Sequence, residues 1–239
     1  MSHSHSQHVR PSMQQKMRDD ERGIAAVEFA LILPLMLVIY MGLVQVSRGM
    51  RTAQKLDLVA HTLSDLTAQQ LAGGQATGQA GLTEADISSI FAAANTLMGL
   101  PANSTAMKMT ISEVNITGTP TLAPTSWQAR TVWTVTRNGA TPRPCQVLTA
   151  ADVPPVSFNT VPSSYITVTA GVNPTVGPII VADVVYAYSP GVNFQFMKWN
   201  SPPTWTMSRT SYAPVRNTYV PSHIQYFMTS GTNCQAPTP

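Results

Sequence analysis

Charge is scarce in this chain of 239 residues: Asp, Glu, Lys and Arg together make up 10% of it. That excludes the charge-rich surface of an ordinary cytosolic protein. The net charge of +3 and a pI near 9.0 suggest a nucleic-acid partner until the charges are located. Residues 1–55 hold Arg10, Lys16, Arg18, Arg22, Arg48, Arg51 and Lys55 against Asp19, Asp20, Glu21 and Glu28, whereas residues 56–239 hold seven of each sign. The basic excess therefore flanks a single apolar run, as it does around membrane segments. The larger part is neutral and offers no basic stripe to a phosphate backbone, so no nucleic-acid partner is expected.

Residues that do chemistry are equally sparse. His3, His5 and His8 lie in MSHSHSQH, which reads as a polar leader, and only His61 and His223 stand elsewhere. No Cys/His cluster has zinc-site spacing, and there is no glycine-rich phosphate loop or G-x-S-x-G elbow. Asp183, alone in an apolar run, is expected to face solvent or take a hydrogen bond. Trp127, Trp133, Trp199 and Trp205 are expected to be strand core, not a ligand platform. Asn103-Ser104-Thr105 and Asn115-Ile116-Thr117 match the glycosylation sequon, too common a pattern to weigh. The residues thus point to no enzyme, cofactor, metal or small-molecule substrate. The only cysteines are Cys145 and Cys234. In an oxidising compartment they would pair, closing a loop of about 90 residues and stabilising by roughly 4–5 kcal/mol in the chain-entropy model. Two unrelated thiols are the alternative.

What the chain does have is a long apolar run, RGIAAVEFALILPLMLVIYMG, from Arg22 to Gly42. From Phe29 to Ser47 no residue carries a formal charge, about 19 residues and enough to cross ~30 Å of hydrocarbon as a helix. A cleaved secretory signal fits poorly, because the run is too long and no A-x-A-like site follows it. Pro34 is expected to kink the helix, which membrane helices tolerate. Basic residues stand on both sides, so charge leaves the orientation open. The cysteines, the Ser/Thr/Pro-rich composition and the low charge favour a carboxyl-terminal part outside the cytosol.

The helix is expected to continue. Leu43, Val46, Met50, Ala53, Leu56, Val59, Leu63 and Leu66 recur every three or four residues up to Gly73-Gly74, an amphipathic extension that makes a helix of about 70 Å from Ile24. Residues 72–81, AGGQATGQAG, read as a flexible hinge. Thr83-Glu84-Ala85-Asp86 then reads as a capping box. The helix that follows has Ile87, Ile90, Phe91, Ala94 and Leu97 on one face and stops at Gly99. The remainder reads as strands. Met107, Met109 and Ile111 alternate with polar residues, and Trp127, Ala129, Thr131, Trp133 and Val135 share a face up to the Asn138-Gly139 turn. Tyr165–Ala170, Ile179–Tyr188 and Trp205–Tyr212 are further strand candidates, with Ile179–Val185 as the central one. The fold class is α+β: a long pilin-like amino-terminal helix, a small helix and an antiparallel β-rich head.

The string Gly23-Ile24-Ala25-Ala26-Val27-Glu28-Phe29 resembles the cleavage region of type IV prepilins: a polar basic leader, a glycine, and a glutamate five residues on. GIAAVEFALILP and the later LDLVAHTLSDLTAQQ resemble, more narrowly, the TadE-like minor pseudopilins of tight-adherence (Flp-type, type IVb) pilus systems. The resemblance covers about residues 22–70 and weakens beyond. The major pilins of such systems carry Glu-Tyr and almost no head, whereas this chain has Glu28-Phe29 and a large one. The Asp-x-Ser-x-Ser motif of the related TadG-like proteins is not found.

The resemblance implies a leader (1–23), a transmembrane helix (24–47), an amphipathic extension (48–72), a linker (73–82) and an exported head (83–239). It implies a single pass of the bacterial inner membrane, with the amino terminus cytoplasmic and the head periplasmic or in the pilus. Implied partners are the membrane, a prepilin peptidase cutting between Gly23 and Ile24, and other pilins or pseudopilins with the Tad secretion machinery. Glu28, with Phe29 and Pro34 beside it, would serve assembly by pairing with the α-amine of Ile24 on a neighbouring subunit. A carboxylate snorkelling at the lipid interface is the bland reading of Glu28. Other readings of the whole are an unprocessed bitopic scaffold of the secretion machinery, or a membrane-anchored exported binding module.

Overall fold

Apolar and helix-favouring residues run almost unbroken from Gly23, and in the computed structural model they form one helix, α1, Glu21–Ala68. The structure describes residues 21–70, 81–119, 126–146, 178–190, 204–215, 224–226 and 230–234. The expected strand Tyr165–Ala170, most of the leader and the linker, Trp199, His223 and the side chain of Trp127 lie outside the described residues. The chain divides into two units between Arg48 and Gly49, inside α1.

In the first unit every side chain from Gly23 to Leu43 is exposed. The mean hydropathy of its most apolar window reaches 2.4, in a helix long enough to cross a membrane. Pro34 lies within the helix, where it withholds one N–H from the ladder. The helix begins at Glu21, so the last three residues assigned to the leader are helical.

The second unit is a five-stranded sheet backed by helices. Strand β1 (Gly81–Leu82) precedes helix α2 (Glu84–Met98) and strands β2 (Met107–Thr119), β3 (Ser126–Arg137), β4 (Ile179–Tyr188), β5 (Trp205–Pro214), β6 (Gln225–Tyr226) and β7 (Thr232–Asn233). The sheet order is β5-β4-β2-β3-β7, with every pair antiparallel. Strand β1 pairs in parallel with β6, which corrects the reading of Gly81 and Leu82 as linker. The fold class is α+β.

α2 starts where its residues say it should. The Thr83 side chain accepts from the Asp86 N–H while the Thr83 N–H donates to the Asp86 carboxylate, and Gly99 closes the helix with φ of 84°. Its buried face is Ile87, Ile90, Phe91, Ala94, Asn95 and Met98. Leu97, expected on that face, is 41% exposed, and Asn95 takes a buried place because its amide donates to Ala102 O and Ser104 O.

Strand alternation sends Met107, Met109, Ile111, Ile180, Ala182, Val184 and Ala213 into one core with Leu56, Val59, Ala60 and Leu63 of α1. The buried stripe of α1 is Gly49, Leu56, Val59, Ala60, Leu63, Ser64, Thr67 and Ala68, whereas Met50 and Leu66 are exposed. The expected stripe was thus partly rotated. Small residues let the helix approach the sheet closely, and hydrophobicity alone does not register that. β4 is buried on both faces from Ile179 to Val184, but it is an inner strand next to the β5 edge; the middle strand is β2, which corrects the expectation that β4 is the central one.

Candidate functional site: the amino-terminal helix and the polar contacts of the head

Gly23, Ile24, Glu28, Phe29 and Pro34 all lie on α1. Ile24 is 58% and Phe29 64% exposed, and a Cβ added at Gly23 would meet nothing within 4 Å. Ile24 and Glu28 are four residues apart, hence neighbours on one face. The Gly23–Ile24 bond falls in the first turn of the helix. A cut there would leave Glu28 near the start of the shortened helix, where the macrodipole favours an anion.

In the head, two polar arrangements are buried and a third is buried only at its serines, and their jobs are structural. On the helix side of the sheet, Glu113 is fully buried. Trp133 Nε1 donates to its Oε2 at 2.8 Å, and the Ile224 N–H donates to the same oxygen at 3.1 Å. Burial, only partly offset by these two bonds, pushes the Glu113 carboxyl up to about 8. The acid therefore sits as a neutral clasp joining β2, β3 and the chain at Ile224. It was missed in the sequence, although one more step of the Met107, Met109, Ile111 alternation reaches it.

On the opposite face, Arg143 pairs with Asp183 Oδ2, and the Thr210 hydroxyl donates to Oδ1 at 2.7 Å. Burial raises the Asp183 carboxyl above its ordinary value and lowers Arg143 below its own, while the attraction between them opposes both. Asp183 is thus 4% exposed and does not face solvent, which corrects one of the two sequence expectations and leaves the hydrogen bond. The cleft beside it, about 280 Å³, is lined by Lys108, Thr110, Thr141, Thr206 and Ser208. With each carboxylate oxygen engaged by the fold, Asp183 is poorly placed to act as a base there.

A third arrangement joins α1 to β5. The Ser64 hydroxyl donates to Ser211 Oγ at 2.9 Å, and Ser211 Oγ lies 2.8 Å from His61 Nδ1. Asp57 stands 3.9 Å from His61 Nε2. The order Ser-His-Asp invites comparison with a nucleophile relay. Ser211, however, is 1% exposed and closed to a substrate. Among the described residues no group of three His, Cys, Asp or Glu is gathered to hold a metal ion.

A disulfide joins Cys145 to Cys234, with Cα atoms 5.0 Å apart. Trp133 is 1% exposed, whereas Trp205 is 50% exposed and corrects the expectation of strand core there.

Residues 23–63 match the family model of TadE-like proteins. The match covers Gly23, Ile24, Glu28, Phe29, Pro34 and the buried stripe as far as Leu63, and stops before α2 and the sheet. No curated protein and no solved structure matches the chain.

Proposed function

We propose, for a chain whose residues 23–63 are a TadE-like domain and which that domain associates with Tad pilus systems and the membrane, that it is a minor pseudopilin without catalytic activity. In this reading α1 crosses the inner membrane once and the head folds on the periplasmic side. A prepilin peptidase cuts between Gly23 and Ile24, and the mature protein takes part in assembling an adhesive pilus. The observation that supports it best is the exposed Gly23–Ile24 bond in the first turn of an apolar helix with Glu28 five residues after the glycine. An unpaired buried charge costs about 3–5 kcal/mol, so a Glu28 carboxylate among packed apolar helices would favour the one register that offers it an α-amine.

The experiment is the mass and amino terminus of membrane-extracted protein from cells with and without a prepilin peptidase. The expected mature terminus is Ile24, and only with the peptidase. Met1 or Ser2 at the terminus in peptidase-positive cells would refute processing and return the chain to an unprocessed bitopic scaffold.

A further inference from the structure

The first residue of the head unit is Gly49, two positions after Ser47, where the uncharged run ends. At 1.5 Å per residue Gly49 lies about 3 Å, and Arg51 about 6 Å, beyond the end of that run. The layer between hydrocarbon and water is itself only some 5–7 Å deep on each side, taking half the difference between the hydrocarbon and full bilayer thickness. Whatever touches Gly49 is therefore at headgroup depth if Phe29–Ser47 spans the bilayer. Covalent continuity alone requires this.

Two aromatic rings touch it. A Cβ placed on Gly49 would meet Tyr188 Cε1 at 3.8 Å and Trp205 Cζ3 at 3.9 Å. Tyr188 and Trp205 face each other across the end of the β4–β5 pair, their ring centroids 6.3 Å apart. Tyr188 is buried, but Trp205 is half exposed, the one tryptophan among the exposed large hydrophobic residues of the described chain. A single half-exposed indole is tolerated on a soluble domain. At the lipid–water boundary it is favoured, because the ring is apolar and its N–H needs a polar partner. Arg51 and Lys55 are exposed on α1 at the same end, four residues apart and hence on one face. Their charge suits phosphate headgroups.

We propose that Trp205, backed by Tyr188 and flanked by Arg51, seats the head on the headgroup layer of the bilayer. The occupant of this surface is lipid. The proposal rests on α1 spanning the membrane, and it adds that the head is held against the interface and not merely tethered to it.

The test uses the full chain reconstituted in phosphatidylcholine vesicles whose acyl chains carry bromine either near the headgroup or near the bilayer centre. No tryptophan precedes Trp127, so the span itself is silent. Tryptophan emission of the parent should be quenched more by the shallow bromine than by the deep one. Trp205→Phe should lower the quenchable emission by about half or more. If Trp205→Phe leaves quenching unchanged, or only Trp199→Phe removes it, the proposal is wrong. Shielding of Trp205 that disappears on dilution into excess lipid would mark a chain–chain contact and also overturn it. Alkaline extraction of the same vesicles separates the two failures. A chain washed off the membrane refutes the span and the proposal together, whereas a retained chain with unquenched Trp205 refutes the proposal alone.

Discussion

Replacing Glu113 by Gln should remove one source of pH dependence from the stability of the head, the one that acts between pH 4.5 and about 8. The folded carboxyl titrates at about 8 against an ordinary value of 4.5. The folded state therefore binds the proton more tightly than the unfolded chain. Its stability is fully present below pH 4.5 and is lost as the pH rises toward 8, since only the unfolded chain ionises cheaply in that window. At 1.36 kcal/mol per unit, the shift is worth roughly 4–5 kcal/mol across the window. That is a large part of the 5–15 kcal/mol that ordinarily separates folded from unfolded. Glutamine keeps an acceptor for the Trp133 and Ile224 N–H groups and cannot ionise. Its stability relative to the parent should be within about 1 kcal/mol near pH 5 and roughly 3–5 kcal/mol higher at pH 8.

The assay is the urea midpoint of both full-length proteins in the same detergent at a series of pH values, with the disulfide intact. Other titrating groups cancel in the difference between the two curves. Trp133, whose indole N–H donates to Glu113, is a built-in fluorescent reporter of the site. Parallel curves for parent and variant would refute the reasoning, because they would mean that Glu113 ionises in the folded head without penalty.

Removing the disulfide by Cys145→Ser or Cys234→Ser frees a closure spanning 89 residues and should destabilise the head by about 4–5 kcal/mol, read from the denaturation midpoint. Arg143→Met leaves Asp183 buried without its cation and should cost about 3–5 kcal/mol, whereas Arg143→Met with Asp183→Leu should cost less than the single change; equal costs would deny the coupling. Glu28→Gln should be inserted and cleaved like the parent yet fail to restore pili to a deletion strain, because a neutral amide accepts a hydrogen bond but cannot form an ion pair with an α-amine; full piliation would make Glu28 a snorkelling acid.

What the sequence disclosed and what it hid divide along the range of the interactions. The α2 boundaries were legible because capping is local: Thr83 and Asp86 are three residues apart, and Gly99 needs only its own positive φ. The turn that ends β3 was legible for the same reason, since Asn138 and Gly139 both take positive φ, at 59° and 68°. β4 was legible because an unbroken apolar run of strand length can only be buried on both faces. The buried stripe of α1 was read partly wrong, since Gly49, Ser64 and Thr67 are recognised as buried only once the sheet they approach is in place. Asp183 and Glu113 were the least legible. Their partners, Arg143, Trp133 and Ile224, lie between 20 and 111 residues away, and no local pattern records such distances.

Those distant partners also account for how a neutral, proline-rich head brings its two cysteines together. The Arg143 N–H donates to Thr134 Oγ1 at 3.3 Å while the guanidinium is held by Asp183, so the chain two residues before Cys145 is fixed to β3 and β4 at once. The Cys234 N–H donates to Val132 O at 2.7 Å, and β7 immediately before it pairs with Trp133 and Thr134. Ile224, ten residues earlier, is held by Glu113 and Trp133. Both cysteine-bearing segments thus meet at Thr134 of β3, one through its hydroxyl and one by strand pairing. The thiols are neighbours because the sheet has formed, and the bond between them removes unfolded conformations without building the site. The polar clasps position the segments and the disulfide retains them, which assigns the costly buried charges to specificity of loop placement and the cross-link to stability outside the cytosol.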